Sequence, residues 1–278
     1  MPAERIAENL AYINWTVLAT LAAGAFGTAV LARLRTDATR GYVAFAAICG
    51  VMLGVLAVAS DGALPAPAAG SPIHVAVDLD GIRRAMTWAF CGLGLAWAVM
   101  VARGRSAPAL GLAGVAAAGA VLGFGAAAWG GSPGGAALLG IELLVLAAAT
   151  GGAFGAMVLG HWYLVTPRLP EAPLVLVARL LFVVIGVQVA LFVAWTTIGA
   201  GPGGSPGFAA LTGPWAMFVW LRLIVGLLFP LVVAWAAVRT ARTRSMESAT
   251  GLLYIEVGTI AAGTILAAGL YFGAGLLV

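Results

Sequence analysis

The chain holds only ten carboxylates and two histidines, so the few that fall inside long apolar runs are the residues whose chemistry needs an account. His161, Arg179 and Glu256 lie in three separate runs, with Trp162, Tyr163 and Tyr254 beside them in sequence. A histidine and a desolvated glutamate both exchange protons near neutral pH. An arginine can hold a carbonyl or an anion, and aromatic rings can stack on a flat ring. Brought together, these groups suit a quinone headgroup: His161 and Glu256 as the proton-exchanging pair, with Arg179, Trp162, Tyr163 and Tyr254 as its contacts. The competing reading is that the aromatic residues and His161 form an interfacial belt while Arg179 snorkels to the surface.

A second pair of charges, Glu142 and Arg222, lies on the other side of the centres of their runs, displaced by roughly 10 and 6 Å at 1.5 Å per residue. Charges in lipid cost several kcal/mol each unless paired, hydrated or used, so a buried Glu142 to Arg222 ion pair is expected. It reads equally as a packing clamp without chemistry. No paired-histidine or Cys-x-x-Cys-His motif, phosphate loop or dinucleotide fingerprint occurs, and no metal site is assigned. His74 and His161 are expected at opposite faces of the bilayer, which disfavours a shared haem; haem held by one histidine and a methionine, or a pigment on one histidine, stays open. Cys49 and Cys91 sit in apolar runs and read as small core residues.

The elements that position these side chains follow from composition. Hydrophobic residues make up 63% of the 278, charged residues 9%, and the mean hydropathy is +1.07. An ordinary soluble core is excluded, and lipid is the solvent. All fourteen basic residues are arginines in short clusters, so the net charge of +4 describes loop ends and no nucleic-acid surface. Crossing the hydrocarbon takes about 20 apolar residues in a helix. Eight runs qualify: Tyr12 to Leu34, Gly41 to Ser60, Ile82 to Ala102, Pro108 to Gly130, Ala136 to Val165, Leu174 to Gly199, Leu211 to Val238 and Glu247 to Tyr271. The chain is therefore read as an all-α polytopic membrane protein of eight transmembrane helices.

Arginines cluster after runs one, three, five and seven: Arg33, Arg35 and Arg40; Arg103 and Arg105; Arg168; Arg239, Arg242 and Arg244. The positive-inside rule makes those loops cytoplasmic and puts both termini outside, in a bacterial-type inner membrane. The long connection from Asp61 to Gly81, with Pro65, Pro67, Pro72 and His74, then lies outside as a lid. Small residues spaced by four, Gly50 with Gly54, Gly119 with Gly123, Gly151 with Gly155 and Gly269 with Gly273, allow close helix crossings.

The halves resemble each other. Gly24 to Arg33 reappears as Gly152 to His161 with six of ten residues identical, and Arg84 falls on Arg222, Ala96-Trp97 on Ala234-Trp235, and Arg103 to Ser106 on Arg242 to Ser245 after one insertion. A duplication predicts two same-orientation four-helix units, 1–135 and 136–278, because four crossings return the chain to its starting face. Polar chemistry then concentrates in the second unit, where Arg33 becomes His161 and Glu142 and Glu256 are gained.

Two same-facing bundles of four helices with isolated charges and no evident haem ligands resemble the polysulfide-reductase-type (NrfD-like) quinone-interacting membrane subunits. The likeness is architectural and carries no catalytic residue over. It implies a quinone-interacting subunit of an electron-transfer complex, part of a hetero-oligomer with membrane or periplasmic redox subunits that carry the metal centres. Two other classes remain: a small-solute or ion carrier using Glu142 and Arg222, and a scaffold subunit whose glycine-rich and aromatic faces hold neighbouring proteins, lipids or pigments.

Overall fold

A computed structural model describes residues 1–66, 71–166 and 169–278; Pro67 and Arg168 of the loops discussed above lie outside the described residues. The described residues are helical and contain no strand. Among the described residues eight helices are long and apolar enough to cross a membrane: span one Leu10–Arg35, two Arg40–Asp61, three Val77–Ala102, four Pro108–Trp129, five Pro133–Val165, six Ala172–Ile198, seven Ala216–Arg242 and eight Met246–Ala274. These match the eight apolar runs within a few residues at most ends. The seventh starts later than its hydropathy, because Gly213-Pro214 breaks the chain after a short 3₁₀ turn at Ala209–Leu211.

Local signals set the ends. The Thr39 hydroxyl accepts from the Tyr42 amide and Ser132 from the Gly135 amide, capping spans two and five. Pro108 and Pro133 open spans four and five, where a missing N–H costs nothing. Gly199 and Gly275 close spans six and eight in the left-handed conformation. A seven-residue helix, Pro2–Glu8, precedes span one.

Span one packs against two, four, five and eight; span five packs against six, eight, one and four. Spans two, three and four follow one another around the first half, as six, seven and eight do around the second. Spans one and five form the centre of the bundle. They cross where Gly24 meets Ala147 and Gly151 backbone to backbone, and a turn further on Gly155 rests on Thr28. The spacing-four glycines are used unequally: Gly50 lies against the span-one backbone at Ala22 and Phe26, Gly54 takes the Phe90 ring and Gly273 takes Trp215, whereas Gly119 and Gly123 face open space.

Two ends of the bundle are distinguished below as the arginine side, with Arg33, Arg103 and Arg239, and the termini side, with Met1 and Val278. On the termini side the described part of the 61–81 connection is pinned down by Tyr12 Oη donating to Pro65 O, Ala76 N donating to Ala128 O, and a buried Ile73. Residues 275–278 turn back against 200–203, with Gly203 N donating to Gly275 O and Leu277 N to Ala200 O.

Candidate functional site

The groups that sequence placed in one arginine-side pocket are not gathered there. Glu256 is 0% exposed, in the interior of span eight, whereas His161, Arg179 and Tyr254 are exposed on outer helix faces. Helical register is the reason. Two residues turn a helix by about 200°, so Tyr254 points away from the face that buries Glu256, and His161 away from the face that buries Tyr163. Tyr163 is held by its own hydroxyl, which donates to Pro170 O, and the Trp162 ring lies against Gly41. His74 is exposed on the termini side, at the opposite end of the bundle from His161.

Glu256 is the most isolated of these groups. Leu253 and Ile260, one turn to either side on its own helix, belong to the apolar core together with Ala149, Ala153, Ile185 and Ala234. Neither carboxylate oxygen has a hydrogen-bond partner among the described residues. Gln188 on span six is also buried, and its Nε2 donates to no described residue. Sequence reasoning passed over Gln188 because it carries no charge. Its position on the face of Leu181, Ile185 and Phe192 was the available signal.

Glu142 and Arg222 are both buried, with Glu142 Oε1 3.8 Å from Arg222 Nη2. That is a charge contact longer than a hydrogen bond. The guanidinium is held more closely by backbone: Nε donates to Val278 O at 3.3 Å and Nη1 to Gly226 O at 3.4 Å. Gly226 O is free to accept because residue 230, four positions on, is proline and has no N–H. The same stretch, Ile224–Leu228, is a π turn, the local widening that a missing ladder bond permits. Gly226 and Gly263 are bare where spans seven and eight cross, and a Cβ on Gly263 would lie 2.9 Å from Arg222 Nη1.

Arg83, which sequence reasoning did not single out, forms a third site on the termini side. It is fully buried, with Nε donating to Asp61 at 2.7 Å and Nη1 to Asp80 at 2.8 Å. Its guanidinium lies over the rings of Trp15 and Trp129, 5.5 and 4.9 Å from their centroids. Arg84, the neighbour that was aligned with Arg222, is on the outer side of the helix and reaches the other oxygen of Asp61 at 2.6 Å. Thr87, Phe90, Gly94 and Trp97 share the buried face with Arg83, and that periodicity was legible.

At membrane depth an apolar cleft of about 390 Å³ opens between spans one, four, five and six. Gly27 and Gly119 floor it, Thr28 supplies the only polar side chain of its described lining, and exposed Leu144 and Leu180 flank its mouth. A Cβ on Gly27 or Gly119 would meet nothing within 4 Å. Among the described residues no group of three His, Cys, Asp or Glu side chains is placed to hold a metal.

No family model matches the sequence, and neither the curated proteins nor the solved structures include a match.

Proposed function

We propose that this chain is a quinone-interacting integral membrane subunit of an electron-transfer complex, working beside partner subunits that carry the metal centres. The reading assigns it to a bacterial-type inner membrane with the arginine side cytoplasmic and both termini outside. The observation that carries it is the cleft beside Thr28. Its volume is in the range of small-molecule sites, its lining is apolar, and its mouth faces the surface that lipid would cover, where a membrane-dissolved ligand arrives. The quinone ring sits near the Thr28 hydroxyl, a donor for one carbonyl, and the isoprenoid tail follows Gly27 and Gly119 outward. Exposed His161, Arg179 and Tyr254 are assigned to the face offered to a partner subunit.

The reading includes duplication into units 1–135 and 136–278, supported by equivalent burial and turns. Matching by buried face shifts the sequence register by one residue in spans one and five, setting Gly24 on Gly151 and Trp15 on Glu142. It sets Arg83, and not the outer Arg84, on Arg222. Beyond the extra residue of the π turn, Gly104 falls on Arg244; both are left-handed, at φ 76° and 58°. Their flanking bonds correspond too: Gly104 N to Val101 O and Arg105 N to Met100 O, against Arg244 N to Ala241 O and Ser245 N to Thr240 O.

The test is labelling of the reconstituted protein by a photoreactive ubiquinone or menaquinone analogue. Labelled peptides from residues 23–31 and 115–122, with label lost in Gly119→Leu, support the reading. Label confined to other spans, or unchanged in Gly119→Leu, overturns it. A Soret band in the visible spectrum of the purified protein would replace quinone with haem as the cofactor.

A carrier reading is favoured by one separate observation, the buried Glu142 and Arg222 contact inside the second half. Solute uptake by vesicles that fails in Glu142→Gln would support it.

A further inference from the structure

The second half holds four buried polar side chains with unpartnered atoms among the described residues: both oxygens of Glu256, Nε2 of Gln188, Oε1 of Glu142 and Oγ1 of Thr250. In an apolar bundle each such group costs several kcal/mol unless water or a ligand satisfies it. Their placement is ordered. Counting about 1.5 Å per residue from the termini-side end of each span puts Arg222, Glu142 and Gln188 at depths of roughly 9 to 15 Å, and Glu256 at roughly 27 Å.

A crossing fixes the separation. Arg222 Nη1 lies against bare Gly263, seven residues beyond Glu256 on the same face of span eight. Seven residues rise about 10 Å and return to within about 20° of the starting direction. That interval is the length of a file of about three hydrogen-bonded waters. On the arginine side of Glu256, buried Leu253 and Ala249 close the same face, and the buried hydroxyl of Thr250 is turned about 120° from it, toward Gly160.

The first half shows the contrast. Setting the buried faces of spans four and eight on each other, Ala118 on Ile260 and Trp129 on Tyr271, puts Gly114 at the position of Glu256, and the registers above put Phe26, Phe90 and Trp97 at those of Ala153, Pro230 and Ala237. There Phe26 stands edge-on to Phe90 and Trp97 at 5.4 and 5.3 Å and fills the space over Gly114. Three rings plug the first unit, whereas the second has small residues and a carboxyl at the same depth.

We infer that the second half contains a hydrated half-channel from the termini side, past Glu142 and Arg222 and along Gln188, ending at Glu256 as a proton-binding carboxyl in mid-membrane. A proton entering from the termini side passes along the water file to a Glu256 oxygen, and leaves by the same path on deprotonation. The other charged or titratable groups on elements packed against span eight are accounted for. Span seven contributes Arg222, with Arg239 and Arg242 at its arginine end; span five contributes Glu142 at one end with Tyr163 and the exposed His161 at the other; and span one has Arg33 and Arg35 at its arginine end. Span one contributes Tyr12, stacked on Phe272 near the termini side. The Pro2–Glu8 helix, which meets span eight near Gly269, adds Glu4, Arg5 and Glu8 at the surface. The site does not depend on the quinone reading.

The experiment is infrared difference spectroscopy of the full chain in liposomes, following the protonated-carboxyl stretch during transfer to deuterated buffer. The wild type is expected to show a band that is absent in Glu256→Gln and that shifts quickly on deuteration. Gln188→Leu, which keeps volume but removes the amide, is expected to slow that shift about tenfold or more while the band remains. Solubility and thermal unfolding of each variant confirm folding, and Glu256→Asp restores a carboxyl if Glu256→Gln does not fold. A wild type with no band removed by substitution at 256 overturns the proposal. So does a band whose deuteration rate is the same in Gln188→Leu and Glu142→Gln as in the wild type.

Discussion

Gly24 and Gly151 bring spans one and five into backbone contact at the centre of the bundle: a Cβ on Gly24 would lie 2.9 Å from Gly151 Cα and closer still to Ala147 O. Without a hydrophobic drive between helices in lipid, close backbone approach supplies the packing. Gly151→Ala is expected to destabilise by more than the usual 1 to 3 kcal/mol of overpacking, because the obstacle is main chain and cannot rotate away. Thermal unfolding in detergent measures it, with Gly27→Ala as the control, since a methyl there meets open space. Equal melting temperatures for the two variants would contradict the crossing.

The turns at Gly104 and Arg244 make opposite predictions from one geometry. Both residues have positive φ, a conformation that costs a side-chain-bearing residue about 1 to 2 kcal/mol. Gly104→Ala is expected to lose about 1 kcal/mol. Arg244→Gly is expected to be near neutral, because relief of strain offsets the loss of its exposed 3.3 Å contact with Glu171, and exposed ion pairs contribute little. Denaturation midpoints of the two variants decide it, and a clear loss in Arg244→Gly would mean that the ion pair outweighs the backbone.

Arg83 ties span three to span two through Asp61 and pairs with Asp80 on its own span, while its flat face rests on two indoles. Arg83→Lys keeps the charge but loses the planar fork that spans both carboxylates, so it is not conservative here. A loss of about 2 kcal/mol or more is expected, and Arg83→Leu should approach the 3 to 5 kcal/mol of a broken buried pair. Arg84→Lys, on the outer side of the same helix, should change little. Thermal unfolding of the three variants ranks them, and similar losses at 83 and 84 would refute the assignment of Arg83 as the structural partner.

The contrast between Arg83 and Arg84 also marks what was legible beforehand. Spans were readable because hydrocarbon thickness fixes their length and leaves apolar residues on every face, so Leu10–Arg35 and its seven counterparts needed no tertiary information. That same uniform apolarity hides which face is inward. His161 and Tyr254 looked like neighbours of a pocket because sequence proximity was used where rotation per residue decides. Identity matching set Trp97 on Trp235, yet the first is 1% exposed and the second 52%. Under the proposed duplication the π turn at Ile224–Leu228 adds a residue to the register there, and neither hydropathy nor identity records such an insertion. Gln188 and the Val278 carbonyl were invisible because uncharged groups matter only once their surroundings are known.

Glu142 and Arg222 separate a packing clamp from a working site. Removing one member of a buried pair strands the other charge, so Arg222→Met should cost about 3 to 5 kcal/mol, and Glu142→Met somewhat less because Arg222 keeps the Gly226 and Val278 carbonyls. The double variant Glu142→Met with Arg222→Met should recover part of that loss, since both desolvation costs vanish together. A double-mutant cycle on unfolding free energies reads the coupling directly. Strictly additive losses would mean that the 3.8 Å contact carries no interaction. If the double variant folds as stably as the wild type, it supplies a clean functional test. A clamp predicts unchanged carboxyl deuteration at Glu256 and unchanged solute uptake, whereas a half-channel entrance predicts slow deuteration in a protein that remains fully folded.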